Sequence, residues 1–305
     1  MNKILKSLLS VAVISASFAS CSQVDTLTES ELAEQKKTTS VAINKHPEWT
    51  YGRTIVCATN VSGHYDKIFY HNNGDVKVLS GIPVGTYKFY AVYENSTFDY
   101  ENLDRNKLAK DSLYVYYANL SIASKAEKLE EHPDLKSITD EGVKKVFTGS
   151  YVRRNAGDVF ADSTALVEVK LGQETSVTFE KPFSLTTLYD VSGTLKSEKK
   201  MEKVYVEICD IVAKRGPNGS VGSKNAKAVL VYNIYGAAQE ATKELTNTMR
   251  LLGISKNGNA NVYVRFKGDD KSKAPEMKSV RYTVKEETGD DGKIHTFIKL
   301  GDITF

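Results

Sequence analysis

Side chains placed to do chemistry are sparse in this chain. The five histidines, His46, His64, His71, His132 and His295, are scattered, and none pairs with another at metal-ligand spacing beside a cysteine or carboxylate, so no metal site is expected. Gly219-Ser220-Val221-Gly222-Ser223-Lys224 has the composition of a phosphate loop. Its glycine-to-lysine spacing is wrong and no helical pattern follows, so it reads as a flexible hairpin loop. Gly268-Asp269-Asp270 and Gly289-Asp290-Asp291-Gly292 lack the spaced oxygens and distal glutamate of a calcium loop and read as turns. No nucleophile elbow, zinc-protease helix or dinucleotide fingerprint is present. Paired carboxylates for glycoside hydrolysis need not be close in sequence, but nothing nominates a pair. Trp49 and the 17 tyrosines offer a sugar-stacking surface, although tyrosine is equally at home in strands and cores. The expectation is a protein without catalysis and without a cofactor.

The most informative residue is Cys21. Lys3 and Lys6 precede an apolar run from Leu8 to Phe18, which is too short to span a bilayer, and Ala19 and Ser20 lead into the cysteine. Phe18-Ala19-Ser20-Cys21 resembles the lipobox of bacterial lipoproteins, with Phe18 where leucine is usual. That resemblance implies cleavage before Cys21 and lipidation of its thiol, so residues 1–20 are expected to be a lipoprotein signal peptide. Residues 21–38 are expected to be a tether: Asp25, Glu29, Glu31 and Glu34 occur with few large apolar side chains, too little to bury. Cys57 and Cys209 each lie in an apolar, strand-like run and read as core thiols rather than as a disulfide framework.

The 305 residues carry a formal net charge of +3, which falls to +1 once Lys3 and Lys6 leave with the leader. Neither nucleic acid nor an anionic membrane surface is implied by charge. From Thr38 onward apolar residues recur mostly every second position, between turn signals at short intervals, as all-β domains require. Lys67–His71 and Asp75–Ser80 read as a hairpin through Asn72-Asn73-Gly74, and Ala165–Leu171 with Thr175–Glu180 as another through Gly172-Gln173. Tyr87, Phe89, Ala91 and Tyr93 would share one core-facing side. Ser124–His132 and Ile138–Val146 read as short surface helices. A boundary at Lys181-Pro182 divides residues 39–181 from residues 182–305 as two β-sandwich domains.

With these features in place the chain resembles the Bacteroidetes fimbrillin and fimbrial-anchor lipoproteins. The residues that carry the likeness are the lipobox, Gly81-Ile82-Pro83-Val84-Gly85-Thr86-Tyr87, Ala91-Val92-Tyr93-Glu94-Asn95, and Tyr235-Gly236-Ala237-Ala238 with Thr246. The resemblance implies two transthyretin-like, Greek-key sandwiches. It also implies a lipid-anchored, outer-membrane, cell-surface location and a role as pilus subunit or anchor in adhesion. Its partners would be other fimbrial subunits, joined by strand exchange at an open sheet edge. In that family a trypsin-like protease removes the first strand. Ser40–Ile43 is that strand here and Arg53, in the loop beyond it, is the cleavage candidate, although a plain loop arginine fits as well. His295–Phe305 stands as either a donor strand or the last strand of the sandwich. Acidic residues after the lipidated cysteine match an export signal or a simple spacer. Asp-Ser/Thr motifs of the same lineage nominate Thr26, Ser112 and Ser163 for O-glycosylation. The competing class is a glycan-binding lipoprotein serving polysaccharide uptake, carried by exposed aromatics such as Trp49.

Overall fold

The computed structural model describes residues 38–49, 53–60, 65–71, 78–94, 99–101, 121–154, 157–237, 240–289 and 291–305. In chain order the elements are β1 (Thr38–Asn44), β2 (Arg53–Asn60), β3 (Tyr65–His71), β4 (Val78–Pro83), β5 (Gly85–Glu94), β6 (Asp99–Glu101), β7 (Ser121–Ala123) and β8 (Ala126–Lys128). Helix α1 (Glu141–Val146) follows, then β9 (Ser150–Val152), β10 (Val159–Val169), β11 (Thr175–Thr178), β12 (Phe183–Ser184), β13 (Thr187–Lys196) and β14 (Met201–Ile211). The rest are β15 (Lys214–Arg215), β16 (Ala226–Asn233), β17 (Thr242–Leu251), β18 (Asn257–Phe266), β19 (Glu276–Thr288) and β20 (Ile294–Thr304). The protein is all-β, as the period-two pattern predicts.

The first half is a two-layer sandwich. A five-stranded sheet in the order β12-β10-β5-β2-β3 faces a three-stranded sheet in the order β11-β1-β4. Tyr87, Phe89, Ala91 and Tyr93 of β5 do point to one side, into a core shared with Val56, Ala58, Val41, Ile43, Leu79, Ile82 and Val177. Neither expected hairpin forms. β3 pairs with β2 while β4 pairs with β1, and β10 pairs with β5 while β11 pairs with β1, so each connection crosses from one layer to the other. Local turn chemistry is right at Gly172, where φ is 72°. What overrides the hairpins is burial: Leu79, Ile82 and Val177 fill the core from the layer opposite β5.

The second half is one seven-stranded sheet, order β16-β14-β18-β19-β20-β13-β17, folded over so that inward residues of both wings meet in a single core. The long strand β19 makes the fold: its first part pairs with β18 from Glu276 to Thr283, and its second part pairs with β20 from Thr283 to Thr288. Along β14 the alternation sends Val204, Val206 and Ile208 into the core. Tyr205, Glu207 and Cys209 then face the opposite side. Cys209 is therefore a half-buried thiol outside the core, its pKa pushed up to about 11 first by burial and then by the Glu207 carboxylate.

That outer face is covered. The segment from 126 to 152, which precedes the Lys181-Pro182 boundary in sequence, packs on β14, β16 and β18: Leu129, Leu135, Ile138, Val143, Phe147 and Tyr151 bury against Tyr205, Val229 and Tyr263. Phe147 meets Tyr151, Tyr205 and Tyr263 edge-on at 5.8, 5.8 and 5.0 Å. Of the two surface helices expected here, one is strand β8, paired antiparallel with β9, and the turns after it, and the other is the short, half-buried α1. Asp140 caps α1 by accepting from the Val143 amide at 3.0 Å, and its carboxylate also takes both ends of the Arg265 fork at 2.7 Å. Gly142 is dictated by the same docking, because a Cβ there would lie 1.6 Å from the Lys273 carbonyl oxygen.

His132 ties the cover to pH. It is buried, its Nδ1 accepts from the Asp134 amide at 3.2 Å, and its Nε2 lies 3.4 Å from the Val152 carbonyl. This arrangement assigns the neutral Nε2–H tautomer, and burial lowers the ring's pKa below the ordinary 6.5. Above 6.5 the ring is neutral in both folded and unfolded chains. As pH falls below it the unfolded chain takes the proton first, so the cover weakens. His295 acts in the opposite sense. Asp291 at 3.0 Å and Asp190 at 3.3 Å raise its pKa, so its contribution is full in mild acid and is lost as pH rises through that raised value. A whole-protein melt would mix the two, so the readout is local. Amides of 126–152, corrected for intrinsic rates, exchange faster at pH 5 than at pH 7.5. Equal protection at both values would show that His132 is no determinant of the cover.

Candidate functional site

β1 is the middle strand of the three-stranded sheet. Val41–Asn44 pair in parallel with Thr175–Thr178 of β11, and Thr38–Ala42 pair antiparallel with Val78–Pro83 of β4 across a register shift. The ladder with β11 is extended by the Phe179 amide donating to the Asn44 carbonyl at 3.0 Å. Among the described residues β11 and β4 have no ladder partner except β1, so this sheet exists only while β1 is in place. Val41 and Ile43 point into the core and Ser40, Ala42 and Asn44 out of it. Just beyond β1, Trp49 is 2% exposed and lies flat on Tyr93, ring centroids 5.3 Å apart at 5°, with Phe179 at 6.5 Å. A strand that carries apolar plugs and is hydrogen-bonded on both sides, yet is the first strand of the described residues, can leave as a unit and be replaced by another extended polypeptide.

Arg53 is not in a loop. It opens β2 and pairs with Glu94 of β5, while pairing with β3 begins only at Thr54, whose side chain is buried. The Arg53–Thr54 bond therefore becomes a protease substrate only when this end of β2 frays. Cys21, Thr26 and Ser112 lie outside the described residues. Ser163 sits on β10 where the pairing with β5 shifts register, half-buried, and it lines an open cleft of about 240 Å³ between β10 and β11. Its Asp162 neighbour is buried, accepting from the Ser163 and Lys181 amides at 2.6 and 2.7 Å.

Burial of Trp49 removes it from any sugar-stacking surface. Among the described residues, Phe183 and Tyr235 are the aromatic rings that stand out among the exposed apolar side chains, Tyr235 at 75%. The terminal strand β20 is held on both sides, by β13 over Tyr189–Lys196 and by β19, with Ile298, Leu300 and Ile303 buried. It is a closing strand of its own sandwich. Ser40–Ile43 entered the sequence reading through the family resemblance, and the central position of β1 was not legible there, because alternation reports which side is buried and not which strands lie alongside.

No family model matches the chain, and no curated protein matches it. Solved structures do. Its structural neighbours are fimbrial and proposed adhesion proteins. One, a proposed adhesin of Bacteroides ovatus, is 10% identical over 91% of this chain and 86% of that one, with a TM-score of 0.46. The fimbrial anchor protein Mfa2 of Porphyromonas gingivalis is 10% identical over 85% of this chain and 95% of that one, at 0.42. A proposed polysaccharide-binding protein of Bacteroides thetaiotaomicron is 12% identical over 76% of this chain and 77% of that one, at 0.38.

Proposed function

We propose that this protein is a non-catalytic subunit or anchor of a cell-surface fimbria, held to the outer membrane through a lipid on Cys21, that joins other subunits by strand exchange at the β1 groove. The observation that carries this reading is the dependence of a whole sheet on one N-terminal strand. With β1 gone, the edges of β4 and β11 and the apolar surface of Leu79, Ile82, Val177 and Phe179 are left for an incoming strand. Main-chain bonds to β4 and β11 give affinity, and pockets for two alternate side chains give register. Division into two sandwiches at Lys181-Pro182 belongs to the same reading, as do glycans on Thr26, Ser112 or Ser163.

The test is the mature N-terminus of protein shaved from intact cells. A blocked, lipidated Cys21 assigns an anchor that keeps β1, and a start at Thr54 assigns a processed pilin whose groove is open. An unmodified start at Met1 in material from the cytoplasm contradicts the proposal.

A further inference from the structure

The second half of the chain holds a cavity of about 340 Å³ that the β1 groove does not use. It lies where β13, β15 and the turn after β17 converge. Val221 and Ile254 make the accessible apolar wall, with Val212 and Leu252 buried behind it, while Thr187 and Tyr189 bring hydroxyls. Two cations, Arg215 and Lys224, line it, and among the described residues no carboxylate does. Arg215 is half-buried. Its Nη1 donates to the Leu185 carbonyl at 2.9 Å, which fixes the guanidinium, and its Nε is buried with no hydrogen-bond partner among the described residues. Neither Arg215 nor Lys224 forms an ion pair with a described residue. Burial raises the pKa of the Tyr189 hydroxyl, and beyond the lining Glu286 acts on it with the opposite sign to Arg215.

A guanidinium held in place on the cavity wall, with no counter-ion among the described residues, is set to receive an anion, and its planar fork matches a carboxylate. The apolar wall asks for more than an inorganic ion: the occupant must also present a hydrocarbon face. At this volume, near the small end of the roughly 300–1,000 Å³ spanned by ligand sites, it is one ring and not a chain of them. We infer that this cavity binds a single carboxylate-bearing sugar unit, of the hexuronate class, with the carboxylate between Arg215 and Lys224, the C–H face of the ring on Val221 and Ile254, and ring hydroxyls toward Thr187 and Tyr189. The site is independent of strand exchange, and it puts acidic-glycan recognition on the half of the chain that the groove leaves unemployed.

The experiment is an amide chemical-shift titration of the full mature chain at low ionic strength with D-galacturonate, D-galactose and inorganic phosphate. Galacturonate is expected to bind in the millimolar range, shifting the amides of Gly222, Gly253 and Ile254, with affinity at least about tenfold above galactose and falling as salt is added. Lys224→Glu, at an exposed position that cannot unfold the sandwich, is expected to abolish the shifts. Arg215→Lys, which keeps the charge and loses the fork, is expected to weaken them about tenfold. Galactose binding as tightly as galacturonate, phosphate binding as tightly, shifts elsewhere on the chain, or an unchanged Lys224→Glu titration would each overturn the assignment.

Discussion

A chain shortened to begin at Thr54 loses its monomeric N-terminal sandwich, and a synthetic peptide of sequence Thr38–Trp49 restores it. Truncation removes Val41, Ile43 and Trp49 from the core, each contributing on the order of 1.5–3 kcal/mol by burial. Together these approach the 5–15 kcal/mol that holds a whole domain folded. It also strips β4 and β11 of their shared partner, leaving two unpaired edges either side of an apolar slot. The expected behaviour is association: ladders of higher-order species on unboiled gels and a broadened elution profile. Added peptide competes for the slot and returns the chain to a monomer, and Val41 and Ile43 in that peptide are essential, because their replacement by Ser leaves only backbone bonds. A Thr54 chain that elutes as a monomer with an unchanged melting temperature would show that β1 is dispensable, and strand exchange would go with it.

Arg265→Ala destabilises the second half of the protein by about 3–5 kcal/mol, which lowers its melting temperature by on the order of 10 °C. Arg265 is 2% exposed, donates twice to Asp140 at 2.7 Å and once to the Lys273 carbonyl at 2.8 Å, and so welds α1 to β18 and to the loop that follows it. Removing the guanidinium strands a carboxylate beneath the cover and frees the carbonyl as well. The first-order cost is the unpaired charge, not the lost attraction. The double replacement Asp140→Leu with Arg265→Met is therefore expected to recover most of the loss, since two apolar side chains of similar bulk leave no charge buried. Equal destabilisation by single and double variants, in a thermal melt, would mean that packing and not charge pairing holds the cover down.

The all-β class, the core face of β5 and most strands from β13 to β20 were legible in the sequence, because alternation at period two and glycine-rich turns are written residue by residue. So was the absence of any recognisable catalytic motif. The two expected hairpins were not, although Gly172 does turn the chain and Asn72-Asn73-Gly74 lies outside the described residues, because a turn that closes a hairpin and a turn that passes the chain to the facing layer use the same residues. Leu79 and Val177 decide between them by where they find apolar neighbours. The same limit applies to Trp49, whose type suggested an exposed platform until Tyr93 and Phe179 enclosed it. Ile138–Val146 was read correctly as weakly amphipathic but assigned to the surface, because nothing local announces that Arg265, 125 residues away, waits for Asp140.

By itself the sequence determined the period of the chain, the apolar side of each strand and the residues able to turn, since these depend on side chains a few positions apart. Only the tertiary structure decided that β1 lies between β4 and β11, that 126–152 roofs the second sheet, and that Arg215 lines a cavity with no counter-ion among the described residues. Those facts depend on which distant segments meet, and contact between segments far apart in sequence is settled by the joint burial of the whole core rather than by any local preference.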